Sequence, residues 1–236
     1  MTEIATSVRS VSICFPAYNE EATIEAVLRE ADQLLRDSEL DYEILVANDA
    51  SRDRTGDIIR GVADELPNFR LIEHDANRGI RATFEHLYAE STKDWVFLNS
   101  TDGQWPTAVL FELIDKARDA DIVIASRTNK HYGFVRRFVS SAFNCVPPLL
   151  FGVRTYDAGA VKLVRREIID RFEIVSKSPF NEAERLIKAA RAGYRIVNHP
   201  VDTSPRRGGK AGGARWTLVR EAVADVWRVW RSLRRS

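Results

Sequence analysis

Apolar residues in this chain follow two alternating rhythms. Runs of strand length appear at Val11–Phe15, Glu43–Ala47, Phe69–Glu73, Trp95–Leu98 and Asp121–Ala125. Between them the spacing turns helical. Ile24, Val27, Leu28, Ala31 and Leu35 form one stripe, and Ile58, Ile59, Val62 and Leu66 form a second that Pro67 closes. Val109, Leu110, Leu113, Ile114 and Ala117 form a third. Strand alternating with helix predicts an α/β fold, a mostly parallel central sheet flanked by helices. The second half is less regular, with a loop at Thr128–Phe134, helical patterns near 136–145 and 181–192, and a strand at Tyr194–Asn198. Near the end, Trp216, Val219, Val223, Val226, Trp227, Trp230 and Leu233 recur at three- and four-residue steps. That spacing predicts a C-terminal amphipathic helix.

The length of 236 residues allows one large domain or a domain with an appendage. Charge suggests where to divide it. Residues 206–236 hold nine Arg or Lys against two acids, a net of +7, whereas residues 1–205 hold 26 basic and 32 acidic groups, a net of −6. An acidic body, 1–205, therefore carries a basic appendage, 206–236, and the asymmetry points to an anionic partner for the latter. Cys14 and Cys145 are the only cysteines, too few for a disulfide framework or a four-cysteine metal site. The opening MTEIATSVRS lacks the apolar core of a signal peptide. Pro147 and Pro148 interrupt the most apolar stretch, Phe143 to Val153, which falls short of the ~20 residues a bilayer span needs. A cytoplasmic protein is expected.

In parallel sheets, ligands bind beyond the carboxyl ends of the strands. Here those ends carry Pro16-Ala17-Tyr18-Asn19-Glu20, Asn48-Asp49, Asn99-Ser100-Thr101-Asp102 and Ser126-Arg127. A lone Asp at a strand end is ordinarily a cap or turn former. Several converging on one rim predict a site. The first turn, PAYNEE, has no glycine-rich fingerprint, and no P-loop occurs anywhere, which argues against dinucleotide and P-loop chemistry.

PAYNEE, VANDAS at 46–51, NRG at 77–79, NSTDGQWP at 99–106 and ASR at 125–127 follow one another on successive strand ends. Together, over about residues 9–210, they resemble glycosyltransferase family 2, and within it the polyprenol-phosphate, dolichyl-phosphate-mannose-synthase-like branch. The resemblance implies a GT-A nucleotide-sugar-binding fold, a divalent metal (Mg or Mn), and inverting transfer of one sugar. It also assigns roles. Pro16, Ala17 and Tyr18 wall the nucleotide; Glu20, Asn48 and Asp49 accept or donate bonds to base or ribose; Gly79, Ser100 and Thr101 complete the donor site. Asn19 also suits a cap of the first helix. The family's Asp-x-Asp-x-Gln is Ser100-Thr101-Asp102-Gly103-Gln104 here, so Asp102 and Gln104 are the implied metal ligands and the first carboxylate is missing. A tight Asp-Gly turn is the structural alternative.

Arg127 matches the family's Ser-Arg, and Arg136 and Ser140, four apart on one helix face, match the branch's phosphate-contacting pair. Asp102, Arg127 and Arg136 are the implied catalytic residues. YDAGAVKLVRRE resembles the family's Asp-containing, Gly-Phe-Lys/Arg-Leu segment, with Ala160 in place of the aromatic after Gly159, and the segment holding Glu182 and Glu184 resembles the one closing the acceptor side. SPRRGGKAGGA, with Arg206, Arg207 and Lys210, resembles a basic loop over the phosphates; a plain flexible linker is the alternative. His74, His86 and His199 show no metal-ligand spacing. The expected activity is transfer of a hexose from a nucleotide-diphosphate sugar to a polyprenyl phosphate, an acceptor already anionic and in no need of a base. The alternatives are transfer to a hydroxyl, with an acid at 182 or 184 as base, or sugar-nucleotide binding without catalysis. Tryptophans interleaved with arginines in the last helix favour the inner membrane face over nucleic acid as its partner. A packed helix on the body or in a homodimer is the competing reading.

Overall fold

The computed structural model describes residues 8–129, 145–205 and 216–234, of which 216–219 are described as backbone only. Seven strands form one sheet in the order β3-β2-β1-β4-β6-β5-β7. These are β1 (Ser10–Ala17), β2 (Asp41–Asn48), β3 (Phe69–Glu73), β4 (Trp95–Leu98), β5 (Ile122–Arg127), β6 (Lys162–Arg165) and β7 (Ile196–Val201). β1 pairs parallel with β2 and β4, β2 with β3, and β5 with β7. The helices are α1 (Ile24–Arg36), α2 (Thr55–Ala63), α3 (Gly79–Glu90), α4 (Val109–Lys116), α5 over 145–151, α6 (Arg166–Arg171), α7 (Asn181–Arg191) and α8 (Trp216–Leu233).

The sequence pattern anticipates this frame where apolar periodicity is strong. α1 buries its whole stripe, Ile24, Val27, Leu28, Ala31 and Leu35, and α4 buries Val109, Leu110, Leu113 and Ile114. Both belong to the main core, which also takes β1 residues Val11, Ile13 and Phe15. α3 is different. It has no full stripe and buries only Thr83, Leu87 and Tyr88, the latter two in a second cluster with Cys14, Leu45 and Val96.

β6 is the unforeseen strand. It runs antiparallel between β4 and β5, with Lys162 opposite both Leu98 and Ile124. Four residues with a lysine near one end give little periodic signal, yet Lys162 is fully buried because Glu182 neutralises it at 2.7 Å. The reversal matters for function. A strand that starts where its neighbours finish delivers the loop before it, residues 157–161, to the same rim as the other strand ends.

α8 divides the apolar stripe expected of it between two faces. Ala222 and Val229 are buried, and Val226, Trp230 and Leu233 pack beside them in a cluster shared with Phe151 of α5 and Ile187 of α7. Asp225 fixes the contact, its buried Oδ2 accepting the backbone N–H groups of Lys177 (3.0 Å) and Ser178 (2.7 Å). Arg220, Val223, Trp227, Arg231 and Arg234 form the outward face. No helix among the described residues is long and apolar enough to cross a membrane.

Candidate active site

The loops after β1 and β2 clasp each other. Arg52 N–H donates to Asn19 Oδ1 at 2.8 Å, Asn19 N–H to Ser51 Oγ at 3.1 Å, and Arg54 N–H to Glu21 Oε2 at 3.0 Å. Asn19 therefore braces the second loop instead of capping α1, whose N-cap is Thr23. The clasp holds Asn19 and Ala50 in the left-handed region, at φ 56° and 55°. That conformation is tolerable for Asn and strained for Ala, and it persists because the surrounding bonds over-determine it. Asn48 Oδ1 accepts from Ser51 N–H at 3.1 Å in the same clasp.

Beyond the sheet lies an open cavity. Seven of the expected residues line it: Pro16, Glu20, Ser100, Thr101, Asp102, Gln104 and Arg127. Ile80 and Phe84 of α3, Trp105, and Gly159 to Val161 complete the wall together with Leu98 and Asn99. Ala17, Tyr18, Asn48, Asp49 and Gly79 fall outside that wall. Tyr18 is exposed, and Asp49 is buried with its carboxylate turned to the start of α3.

Asp102 is placed by its neighbours. Ser100 Oγ donates to its Oδ1 at 2.7 Å and Gln104 N–H donates to the same oxygen at 3.1 Å. Gly103 sits at φ 68°, the conformation that lets the chain turn back so tightly. The Asp-Gly turn and the site are thus one structure. Thr101 Oγ bonds Pro16 O at 2.9 Å, and Thr23 Oγ bonds Thr101 O at 2.7 Å, which locks this turn to the first loop. Ser100, standing where the family has an acid, orients the remaining carboxylate. Among the described residues no three His, Cys, Asp or Glu gather as a metal cluster. A hard divalent cation nonetheless fits Asp102 and the Gln104 amide oxygen, because Mg²⁺ and its like take one or two carboxylates and complete their shell with water and substrate phosphates.

Arg127 lines the same cavity. Its Nη1 donates to Asp157 Oδ2 at 2.7 Å, and its guanidinium lies 5.0 Å over the ring of Trp105. Trp105, in the cavity wall, and Asp157, the partner of Arg127, are given no role by the sequence analysis. Asp157 sits in the loop that β6 brings to the rim, a placement no local pattern reveals. Arg136, Ser140, Arg206, Arg207 and Lys210 lie outside the described residues.

Glu182 and Glu184, the acids expected on the acceptor side, are engaged in the interior and do not line the cavity. Glu182 Oε2 accepts from Lys162 Nζ at 2.7 Å and Tyr88 OH at 3.0 Å. Burial alone would push its carboxyl up; Lys162 and Arg185 outweigh this and hold it below the ordinary range. Burial, with Glu182 adding to it, pushes the Tyr88 hydroxyl well up. Glu184 accepts from the N–H groups of Val175 (3.0 Å) and Ser176 (2.8 Å) and pairs with Lys188 at 2.7 Å.

A mostly parallel sheet whose first, second, fourth and fifth strands end in polar loops is the setting of a sequence match to a known family. The profile of Glycosyl transferase family 2 matches residues 12–182. The chain belongs to glycosyl transferase family 2. Among its relatives is the undecaprenyl-phosphate mannosyltransferase of Micrococcus luteus, 28% identical over 90% of each chain. Another is the glycosyltransferase AglD of Haloferax volcanii, 28% identical over 93% of this chain and 37% of AglD. An undecaprenyl-phosphate 4-deoxy-4-formamido-L-arabinose transferase of Pseudomonas paraeruginosa is 29% identical over 68% of this chain and 48% of its own. Against several of these relatives the chain spans half their length or less. Among solved structures, glucosyl-3-phosphoglycerate synthase from Mycobacterium tuberculosis, with Mn²⁺, uridine diphosphate and phosphoglyceric acid, superposes with a TM-score of 0.74. It is 18% identical and covers 94% of this chain and 78% of that one. Mannosyltransferase PcManGT from Pyrobaculum calidifontis, with GDP-Man and Mn²⁺, superposes at 0.65 with 20% identity, over 92% of this chain and 64% of its own. The shared architecture is GT-A.

Proposed function

We propose that this family 2 protein transfers a hexose, with inversion, from a nucleotide-diphosphate sugar to a polyprenyl phosphate at a membrane surface. The supporting observation is the division of labour around the cavity. Asp102, Gln104 and Arg127 line the same cavity, while the two acids expected to serve as base are held in buried ion pairs away from it. When bound there, Mg²⁺ or Mn²⁺ would neutralise the departing nucleoside diphosphate. Asp102 and Gln104 would hold it, with Ser100 fixing the carboxylate. Arg127, kept flat by Trp105 and Asp157, grips phosphate oxygens. An acceptor phosphate oxygen is already anionic and attacks the anomeric carbon without giving up a proton. The resemblance to the Micrococcus luteus mannosyltransferase, which spans nearly all of both chains, favours this acceptor.

One observation favours a hydroxyl acceptor instead. Asp157, beside Arg127, is a carboxylate near the cavity wall, and a hydroxyl nucleophile would need such a base. Transfer assays with Asp157→Asn separate the two. With a phosphate acceptor the variant should keep its rate within about tenfold, the cost of a loosened Arg127. Loss of a general base costs about 100–10,000-fold, and a fall of that size would favour the hydroxyl.

The outward face of α8 is the proposed membrane contact. Trp227 and Val223 are exposed, and Arg220, Arg231 and Arg234 share their face. Each basic group near an anionic surface contributes about 1 kcal/mol, less as salt rises. In the same assay Trp227→Ser should slow transfer to acceptor held in anionic vesicles and leave transfer to detergent-dispersed acceptor unchanged. Equal rates in both would remove α8 from the membrane.

A further inference from the structure

Asp49, at the end of β2, is the outer member of a three-residue chain. His74, whose side chain is fully buried, places Nδ1 2.7 Å from Asp49 Oδ1. On its other side His74 Nε2 lies 2.9 Å from His86 Nδ1, on α3. The two rings are 9° from parallel with centroids 5.1 Å apart. With the nitrogens at hydrogen-bond distance, the rings meet edge to edge. Asp49 also accepts Arg78 N–H on Oδ1 at 2.8 Å and Gly79 N–H on Oδ2 at 2.9 Å. Gly79 sits at φ 79°, which brings its N–H round to the carboxylate.

The donors can be counted. An ionised carboxylate offers about four acceptor directions, and three are taken here, two on Oδ1 and one on Oδ2. We propose that His74 and His86 are positioning residues for donor recognition. They hold Asp49 so that the remaining lone pair of Oδ2 accepts one N–H or O–H from the nucleoside half of a nucleotide-diphosphate sugar. The inference rests on the glycosyltransferase reading above and adds two residues to it. Capping α3 needs only Asp49. The histidine chain in addition anchors Oδ1, which restrains rotation of the carboxylate toward a different ligand.

The bonds also order the protons. Asp49 accepts, so His74 Nδ1 carries a hydrogen. A neutral His74 then has Nε2 as acceptor, which requires hydrogen on His86 Nδ1 and leaves His86 Nε2 bare. With both rings neutral, both are therefore Nδ1–H tautomers. The test uses long-range ¹H–¹⁵N spectra of the full chain, with and without uridine or guanosine diphosphate and Mg²⁺, alongside steady-state kinetics. Both histidines should appear as Nδ1–H tautomers, and the preferred nucleotide should shift both. His74→Leu should raise KM for the nucleotide sugar about 10-fold, the loss of a hydrogen bond to a charged group, with kcat within about twofold. His74→Asn, whose amide N–H can replace Nδ1, should recover most of that loss. If His74→Leu does not fold, the half-buried His86→Leu carries the same KM signature. Nε2–H tautomers, or an unchanged KM in either folded leucine variant, would overturn the relay while leaving the activity standing. A wild-type protein that binds neither nucleotide would overturn the glycosyltransferase reading and the relay with it.

Discussion

Asp102→Ala is expected to abolish sugar transfer, by at least about 1,000-fold, and to leave the protein folded. The side chain sits in a solvent-facing turn whose remaining supports, the Thr101–Pro16 and Thr23–Thr101 bonds, do not involve it. On the proposed function, its loss removes the carboxylate that would hold the metal and, with it, the charge that would steady the leaving diphosphate; deletion of a single stabilising donor typically costs about 100–1,000-fold, and of a cation more. Donor affinity should also fall and cease to depend on Mg²⁺ or Mn²⁺. Ser100→Asp restores the family's first carboxylate and should keep activity or tighten the metal. Ser100→Ala removes the 2.7 Å bond that orients Asp102 and should weaken metal binding modestly. Full turnover by Asp102→Ala in the presence of chelator would refute the metal assignment.

The second large effect is on folding. Glu182→Leu should lose about 3–5 kcal/mol of stability, because it strands Lys162 as an unpaired charge in the interior. Replacing both partners, Lys162→Met with Glu182→Leu, should recover most of that loss, since two apolar groups of similar volume need no pairing. Urea unfolding of the two single variants and the double variant measures the coupling. The pair also shapes acid stability. Glu182 titrates below its ordinary 4.5 in the folded protein, so its contribution is complete above that pH and disappears as pH falls through the lower folded value. The double variant should lose less stability in acid than the wild type. If Glu182→Leu were instead stable and its transfer rate fell by orders of magnitude, Glu182 would be catalytic and the hydroxyl-acceptor alternative would gain its base.

Sequence reasoning reached furthest where structure is local. The runs that became β1, β2, β4 and β5 are apolar because both sheet faces are covered there, while β3 lies half exposed at the sheet edge; the polar residues that follow the strands are assigned to one rim by strand direction alone. Pro16, Glu20, Asp102, Gln104 and Arg127 are brought together as that argument expects. What it missed depends on contacts distant in sequence. β6 is four residues long, and its Lys162 is buried only because Glu182 meets it from α7. With β6 unseen, Asp157 had no reason to stand beside Arg127. His74 and His86 show no metal-ligand spacing, because their meaning lies in Asp49, 25 residues before His74. On α8 one stripe of three- and four-residue steps covers two faces, Val226, Trp230 and Leu233 against the body and Val223 with Trp227 outward.

The most direct test is to follow a labelled hexose from its nucleotide carrier. The full chain would be incubated with Mg²⁺ or Mn²⁺, labelled GDP- and UDP-sugars, and anionic vesicles holding either a short polyprenyl phosphate or the corresponding polyprenol. The proposed function predicts metal-dependent transfer to the phosphate and none to the alcohol, with an acid-labile glycosyl phosphate as product. Label on the polyprenol, or donors left intact under every combination of metal and acceptor, would contradict the assignment.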